Sequence, residues 1–171
     1  MSQTDPVARV RVGVIVERRK AKSPWIDHVW RPLAVLAGEP EAAPWSRLDQ
    51  EEETATFYAG AADIELYRSE TTYYRDNLRT DPPLLWVALR PTGLDQPYEL
   101  LLVTANPAEG EALTEPGTDL VDTVPMPDPI RHAVAAFVAE HHVEQAFVKR
   151  KRDRADPQAL ARRGIVREDE E

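Results

Sequence analysis

An α+β fold in one domain is what this sequence predicts, with a mostly antiparallel sheet of about seven strands, a long C-terminal helix packed on it and two short helices. Three observations carry that expectation. The runs Pro83–Arg90 and Tyr98–Thr104 are almost wholly apolar, of strand length, and bracketed by proline and glycine, so they read as a buried hairpin. Val10, Val12, Val14 and Val16 alternate with Arg9, Arg11 and Gly13, the pattern of a half-buried strand. From Asp128-Pro129 onward the apolar residues change to helical spacing.

Taken in order, the first strand is expected over Val7–Glu17, followed by a basic loop that runs into Ser23-Pro24-Trp25. A second strand, His28–Leu36, contains Pro32, which cannot donate to a central ladder; the strand belongs on an edge or begins after that residue. Gly38–Glu53 reads as a connection with two prolines and an acidic run, pinned to the core by Trp45 and Leu48 in a short turn. Thr54–Ala59 and Asp63–Arg68 read as two strands joined by Gly60-Ala61-Ala62 as a hairpin loop.

Ser69 is expected to cap a helix running to Leu78, with Tyr74 and Leu78 paired along one face. The Pro83–Arg90 strand, apolar on both faces, belongs in the middle of a sheet. Asn106-Pro107 opens a short helix, and Thr118–Val124 supplies the last strand. In the final helix, Ile130, Val134, Phe137, Val138 and His141 share one stripe at 100° per residue. Val143 and Phe147 fall on nearly the opposite side, so either the helix breaks around His141-His142 or those two residues meet something else. Residues 1–6 are expected to be disordered, 7–152 to form the domain, and 153–171 to be a polar disordered tail.

Composition narrows the function classes. The 171 residues include no cysteine, which excludes disulfides, thiolate zinc sites, iron–sulfur ligation and a cysteine nucleophile. No apolar run approaches the roughly 20 residues of a membrane span, and the first residues lack a secretory pattern, so a cytoplasmic protein without membrane contact is expected. The formal charge of −9 is unevenly spread. Arg18, Arg19, Lys20 and Lys22 stand against one acid, and Lys149, Arg150, Lys151, Arg152 and Arg154 stand against Asp153. The acidic remainder argues against nucleic acid as the main partner.

The histidines make no metal pattern. His141 and His142 are neighbours about 100° apart on a helix, and His132 lies on the far side from His141. Glu51-Glu52-Glu53 reads as a solvated run, and Ser69-Glu70-Thr71-Thr72 offers hydroxyls without a nearby base. Neither a phosphate-binding P-loop nor a dinucleotide glycine motif is present. What stands out is basic residues beside bulky apolar ones. Arg18, Arg19, Lys20, Lys22, Trp25 and Trp30 form one group; Val143, Phe147, Lys149, Arg150, Lys151 and Arg152 form the other. Together they are the candidate interaction surface, with the two patches expected to face one another.

Several spaced strings extend the reading. Val12-Gly13-Val14-Ile15-Val16-Glu17-Arg18-Arg19, Ser23-Pro24-Trp25, Trp30-Arg31-Pro32, Leu66-Tyr67-Arg68-Ser69-Glu70-Thr71, Val103-Thr104-Ala105-Asn106-Pro107 and His141-His142-Val143 together resemble a bacterial family known as domain of unknown function 3305. The resemblance covers about Val7 to Arg152. It implies a gene context near molybdenum-dependent formate dehydrogenase and its accessory proteins, and it carries no catalytic residue. Some members are labelled molybdopterin-guanine dinucleotide biosynthesis protein A. The enzymes of that name hold GTP on a glycine-rich N-terminal loop, whereas Val14–Trp25 has no glycine.

The expectation is therefore a non-enzymatic, cofactor-free accessory protein that binds a formate dehydrogenase subunit or maturation factor. The alternative is a module for a pterin or guanine nucleotide, with Arg18, Arg19 and Lys20 on the anion and Trp25 stacked on the base.

Overall fold

The structure, a computed structural model, describes residues 5–115 and 117–143. The expected tail over 153–171, Phe147 and the second basic cluster lie outside the described residues. Seven strands and three α-helices follow the order β1 (Ala8–Lys20), β2 (His28–Ala37), β3 (Ser46–Gln50), β4 (Thr54–Leu66), α1 (Thr71–Leu78), β5 (Leu84–Pro91), β6 (Tyr98–Thr104), α2 (Pro107–Leu113), β7 (Leu120–Pro125) and α3 (Asp128–His141).

The single sheet expected from the sequence is two. One has the order β2-β1-β4-β3 and the other β6-β5-β7, with every pairing antiparallel. They share one core, because β4 lies alongside β6 and β2 alongside β7. Val12, Val14 and Val16 from β1 meet Leu85, Val87 and Leu89 from β5 in the same buried cluster. Side-chain alternation does this: residues two apart point the same way, so one face of each strand supplies the interior. β5 is the central strand of its sheet, as its apolar character requires.

Three strand boundaries differ from expectation for identifiable reasons. β1 continues through Arg18, Arg19 and Lys20, because Arg18 and Arg19 pair with Trp30 and Val29 on one side and Ala55 and Thr54 on the other, and Lys20 pairs with His28; these neighbours outweigh their polarity. β4 does not turn back at Gly60-Ala61-Ala62. It runs straight through a bulge, with Val14 opposite Gly60 and Ile15 opposite Tyr58, and Gly60 takes φ +127 to absorb the extra residue. The connection after Gly38 contains a strand, β3, that covers only the first half of β4, from Ala55 to Tyr58. Trp45 enters it at φ 68, a strained value for a side chain of that size, with its N–H on the Tyr58 carbonyl. Pro32 does sit on an edge strand, at the irregularity where β2 changes register against β1.

The helices close one end. A 3-10 turn at Arg68–Glu70 precedes α1, so Ser69 lies inside that turn and does not cap the helix. Asn106 is a cap: its side chain accepts the N–H of Ala108 at 2.9 Å. Asn77 does the work of a strand. It accepts from Leu84 N at 2.9 Å and donates to the carbonyls of Leu84 and Ala105 at 2.8 and 3.0 Å, tying α1 to both hairpin strands.

The C-terminal helix is shorter than expected, 14 residues, and packs mainly on α1. Ile130, Val134 and Phe137 are buried as the stripe predicts, and the Phe137 ring meets Tyr74 edge-on at 6.1 Å. It ends at His141. His142 is extended, with Nε2 taking the Arg75 guanidinium N–H at 2.9 Å and Nδ1 facing Thr71 Oγ1 at 3.0 Å. Arginine only donates, so the ring proton sits on Nδ1. Ending there removes the conflict between two apolar stripes, because Val143 is no longer on the helix.

Candidate functional site

The first basic cluster gathers at the end of β1 farthest from the helices. Arg18 faces inward, its guanidinium 5.2 Å from the Phe57 ring centre and 5.8 Å from that of Trp30. Trp30 is half-buried and occupies the middle of an aromatic cluster, with Phe57 at 5.5 Å and Trp45 and Tyr98 each at 6.1 Å. It therefore belongs to the packing, and it joins β2 to β4 and β6 across the two sheets. Lys20 and Lys22 are exposed, and the loop between β1 and β2 carries Trp25 at 91% exposure with Ile26 beside it, also exposed. Val29, on the outward face of β2, is exposed too.

Glu17, missed in the sequence, anchors the neighbouring outer face. The residue is 8% exposed, and its carboxylate takes Nε of Arg31 at 3.0 Å and a guanidinium nitrogen of Arg19 at 3.4 Å. The hydrogen bond from Arg31 holds its pKa below the usual carboxylate range, against the cost of burial. Arg19 is thus partly committed to a neighbour, and the small hollow lined by Glu17, Arg19, Val29 and Arg31 sets one carboxylate against two guanidinium groups.

The second group is elsewhere. Val143 is 77% exposed and follows His141 and His142, which contact Arg68, Thr71 and Arg75. That is the Ala8–Leu66 end of the β1–β4 ladder, whereas Arg18 pairs with Ala55. Ten residues of strand separate the two, roughly 30 Å. Val143 does not share a patch with Arg18, and Lys149, Arg150, Lys151 and Arg152 lie outside the described residues.

A concavity lies along the seam between the sheets, where a groove of about 570 Å³ runs between β4 and β6. Ala61, Ala62, Asp63 and Glu65 line it from β4, Leu100–Thr104 from β6, and Tyr67 and Glu109 from the segments that follow each strand. Tyr67 donates to Glu65 Oε2 at 2.6 Å, which with burial pushes its phenol up to about 12. Tyr74 donates to Glu70 Oε2 at 2.8 Å, and burial raises its pKa further. The Glu109 carboxyl is also raised, by burial first and then by Glu70 and Glu65. The sequence held a faint signal for this: Glu65, Tyr67 and Glu70 alternate with core residues Leu66 and Tyr74, but Glu109 joins them only through the fold.

Among the described residues, no group of three or more histidine, aspartate or glutamate side chains is placed to hold a metal ion. His141 stacks on Phe137 at 4.5 Å and accepts from Arg68 at 3.3 Å; His28 and His132 are exposed. No described helix is long and apolar enough to cross a membrane.

A comparison with protein families finds a match over residues 11–151 to the family described as a protein of unknown function, DUF3305. No curated protein and no solved structure matches the chain.

Proposed function

The chain belongs to the DUF3305 family, and from that premise we propose that it is a non-enzymatic accessory factor that binds another protein, in assembly or regulation of a molybdenum-dependent formate dehydrogenase. The observation that supports this most is the β1–β2 end, where Trp25, Ile26 and Val29 stand exposed beside Lys20 and Lys22. Exposed aromatic and aliphatic side chains rimmed by cations are the make-up of a protein-binding patch rather than of a solvated loop. A partner presenting acidic residues around an apolar anchor would complement it.

The test is capture from native lysate on full-length tagged protein, alongside a Trp25→Ala/Ile26→Ser variant. Both positions are exposed, so the fold should persist. Recovery of a formate dehydrogenase subunit or maturation factor by the native chain, and its loss with the variant, is the expected result. Recovery of neither enzyme nor maturation factor would overturn the reading.

The alternative, a pterin or guanine nucleotide module, has weaker support. Arg18 is stacked on Trp30 and Phe57 and Arg19 reaches Glu17, so neither guanidinium stands ready for a phosphate. A dose-dependent rise in thermal midpoint with GTP or a pterin would revive it.

A further inference from the structure

We propose that the groove between β4 and β6 is a second docking site, which takes an extended segment of a partner protein alternating basic with apolar residues. The site is distinct from the β1–β2 end and does not depend on the reading above. Its basis is backbone. Among the described residues, β6 is the outer strand of its sheet and pairs only with β5, while β3 covers β4 no further than Tyr58. From Ala61 to Glu65 and from Leu100 to Thr104, two strands border the same groove without a ladder between them. An uncovered apolar edge such as Leu100-Leu101-Leu102-Val103 is a template for an added strand, and natural proteins cover such an edge or blunt it with charge.

The rim fixes the kind of strand. Glu65 and Glu109, which line the groove, and Glu70 close to Glu109 make no ion pair among the described residues, whereas the lining Asp63 pairs with Arg11 at 3.4 Å. Burial first, and then the charges of Glu70 and Glu65, raise the Glu109 carboxyl. A cation brought among them is therefore attracted by several charges at once. Apolar side chains on the same strand would meet the leucines of β6 and the small Ala61 and Ala62 of β4.

Two other occupants fit less well. A second copy of the chain would bring its own carboxylates to the seam and be repelled. The chain's own Lys149-Arg150-Lys151-Arg152 has the charge but four consecutive cations, without the alternation that a strand over leucine requires.

The experiment uses full-length protein and a fluorescein-labelled heptapeptide alternating lysine with valine, read by anisotropy at low salt. Saturable binding is expected, together with slowed amide exchange in residues 61–65 and 100–104. The same peptide with glutamate for lysine should not bind, and one N-methylated at alternate amides should bind at least about tenfold more weakly. A Glu65→Gln/Glu109→Gln variant, isosteric at both positions, should lose about tenfold as well. Absence of saturable binding, indifference to N-methylation, or full affinity in the double variant would overturn the proposal. So would tighter peptide binding after Lys149→Glu/Arg150→Glu/Lys151→Glu/Arg152→Glu, which would assign the groove to the chain's own segment. Protection of the two strands in a peptide-free dimer would give it to a second copy.

Discussion

The two ends of the β1–β4 ladder treat charge in opposite ways. Beside the aromatic cluster, Glu17 is nearly buried yet answered by Arg31 and Arg19, and Arg18 lies against two rings. Around the β4–β6 groove, Glu65, Glu70 and Glu109 lie near one another with the hydroxyls of Tyr67, Tyr74 and Thr104 as donors, and the three make no ion pair among the described residues, although Arg9 stands opposite Glu65 in the ladder. A carboxylate held by hydrogen-bonded arginine has its charge spent within the fold and works as structure. Carboxylates gathered without an ion pair hold a charge that the fold has not used, which is the state of a surface awaiting a complement. Density of charged residues alone does not separate the two; pairing does.

That contrast can be broken most severely at its hinge. Trp30→Ala removes the ring that touches both sheets and Arg18, and should cost about 3 kcal/mol in chemical denaturation. It should also loosen the seam, seen as faster amide exchange in β6. An unchanged midpoint would mean that the cluster is surface and not packing.

Gly110→Ala comes next. A Cβ there would enter the Trp86 indole, so α2 must shift and carry Glu109 with it; about 1–3 kcal/mol of stability should be lost. If the cost is negligible, α2 is not seated on β5 as described.

Glu17→Gln should cost about 1 kcal/mol, because Arg19 and Arg31 are half-exposed and water takes over part of their solvation. The sign with pH is definite. The folded pKa lies below the ordinary value of 4.5, so the contribution is full above that value and is lost as pH falls through the folded pKa. Stability of native and variant chains should therefore converge in acid, and a constant difference across that range would refute the pairing.

The smallest effect has the opposite sign. Glu109 titrates above its ordinary value, so its ionised form opposes folding at neutral pH, and the penalty fades as pH falls through the raised pKa. Glu109→Gln should raise the thermal midpoint slightly at pH 7 and leave it unchanged near pH 4. Destabilisation at pH 7 would show that the Thr104 hydrogen bond to the carboxylate outweighs the cost of burying its charge.

Reading the residues in order reached much of the fold. The valines of β1, the β5–β6 hairpin, the edge position of Pro32, the Asn106 cap and the stripe of α3 are all local patterns, and each survives in the structure. The errors sit where a neighbour overrides local preference. Arg18 to Lys20 look like loop until β2 and β4 are placed on either side of them. Gly60-Ala61-Ala62 looks like a turn, yet the long β1 offers a partner along its whole length, and a bulge costs less than giving up that ladder. Of the candidate surface, exposed Trp25 and its lysine neighbours were legible as a group, while Trp30 looked the same in sequence and is packing.

By itself, the order of residues determined which segments extend, which coil and which faces turn inward, because side-chain periodicity of two or of 3.6 is a property of a short stretch. It also determined, through the missing cysteines, what chemistry is closed. Only tertiary structure decided that the strands part into two sheets, that Glu17 meets two arginines while Glu109 makes no ion pair among the described residues, and that an edge of β6 left open by the described strands borders one of β4. Those facts depend on which distant segments share a border, and burial and Coulomb forces act through space without regard to separation along the chain.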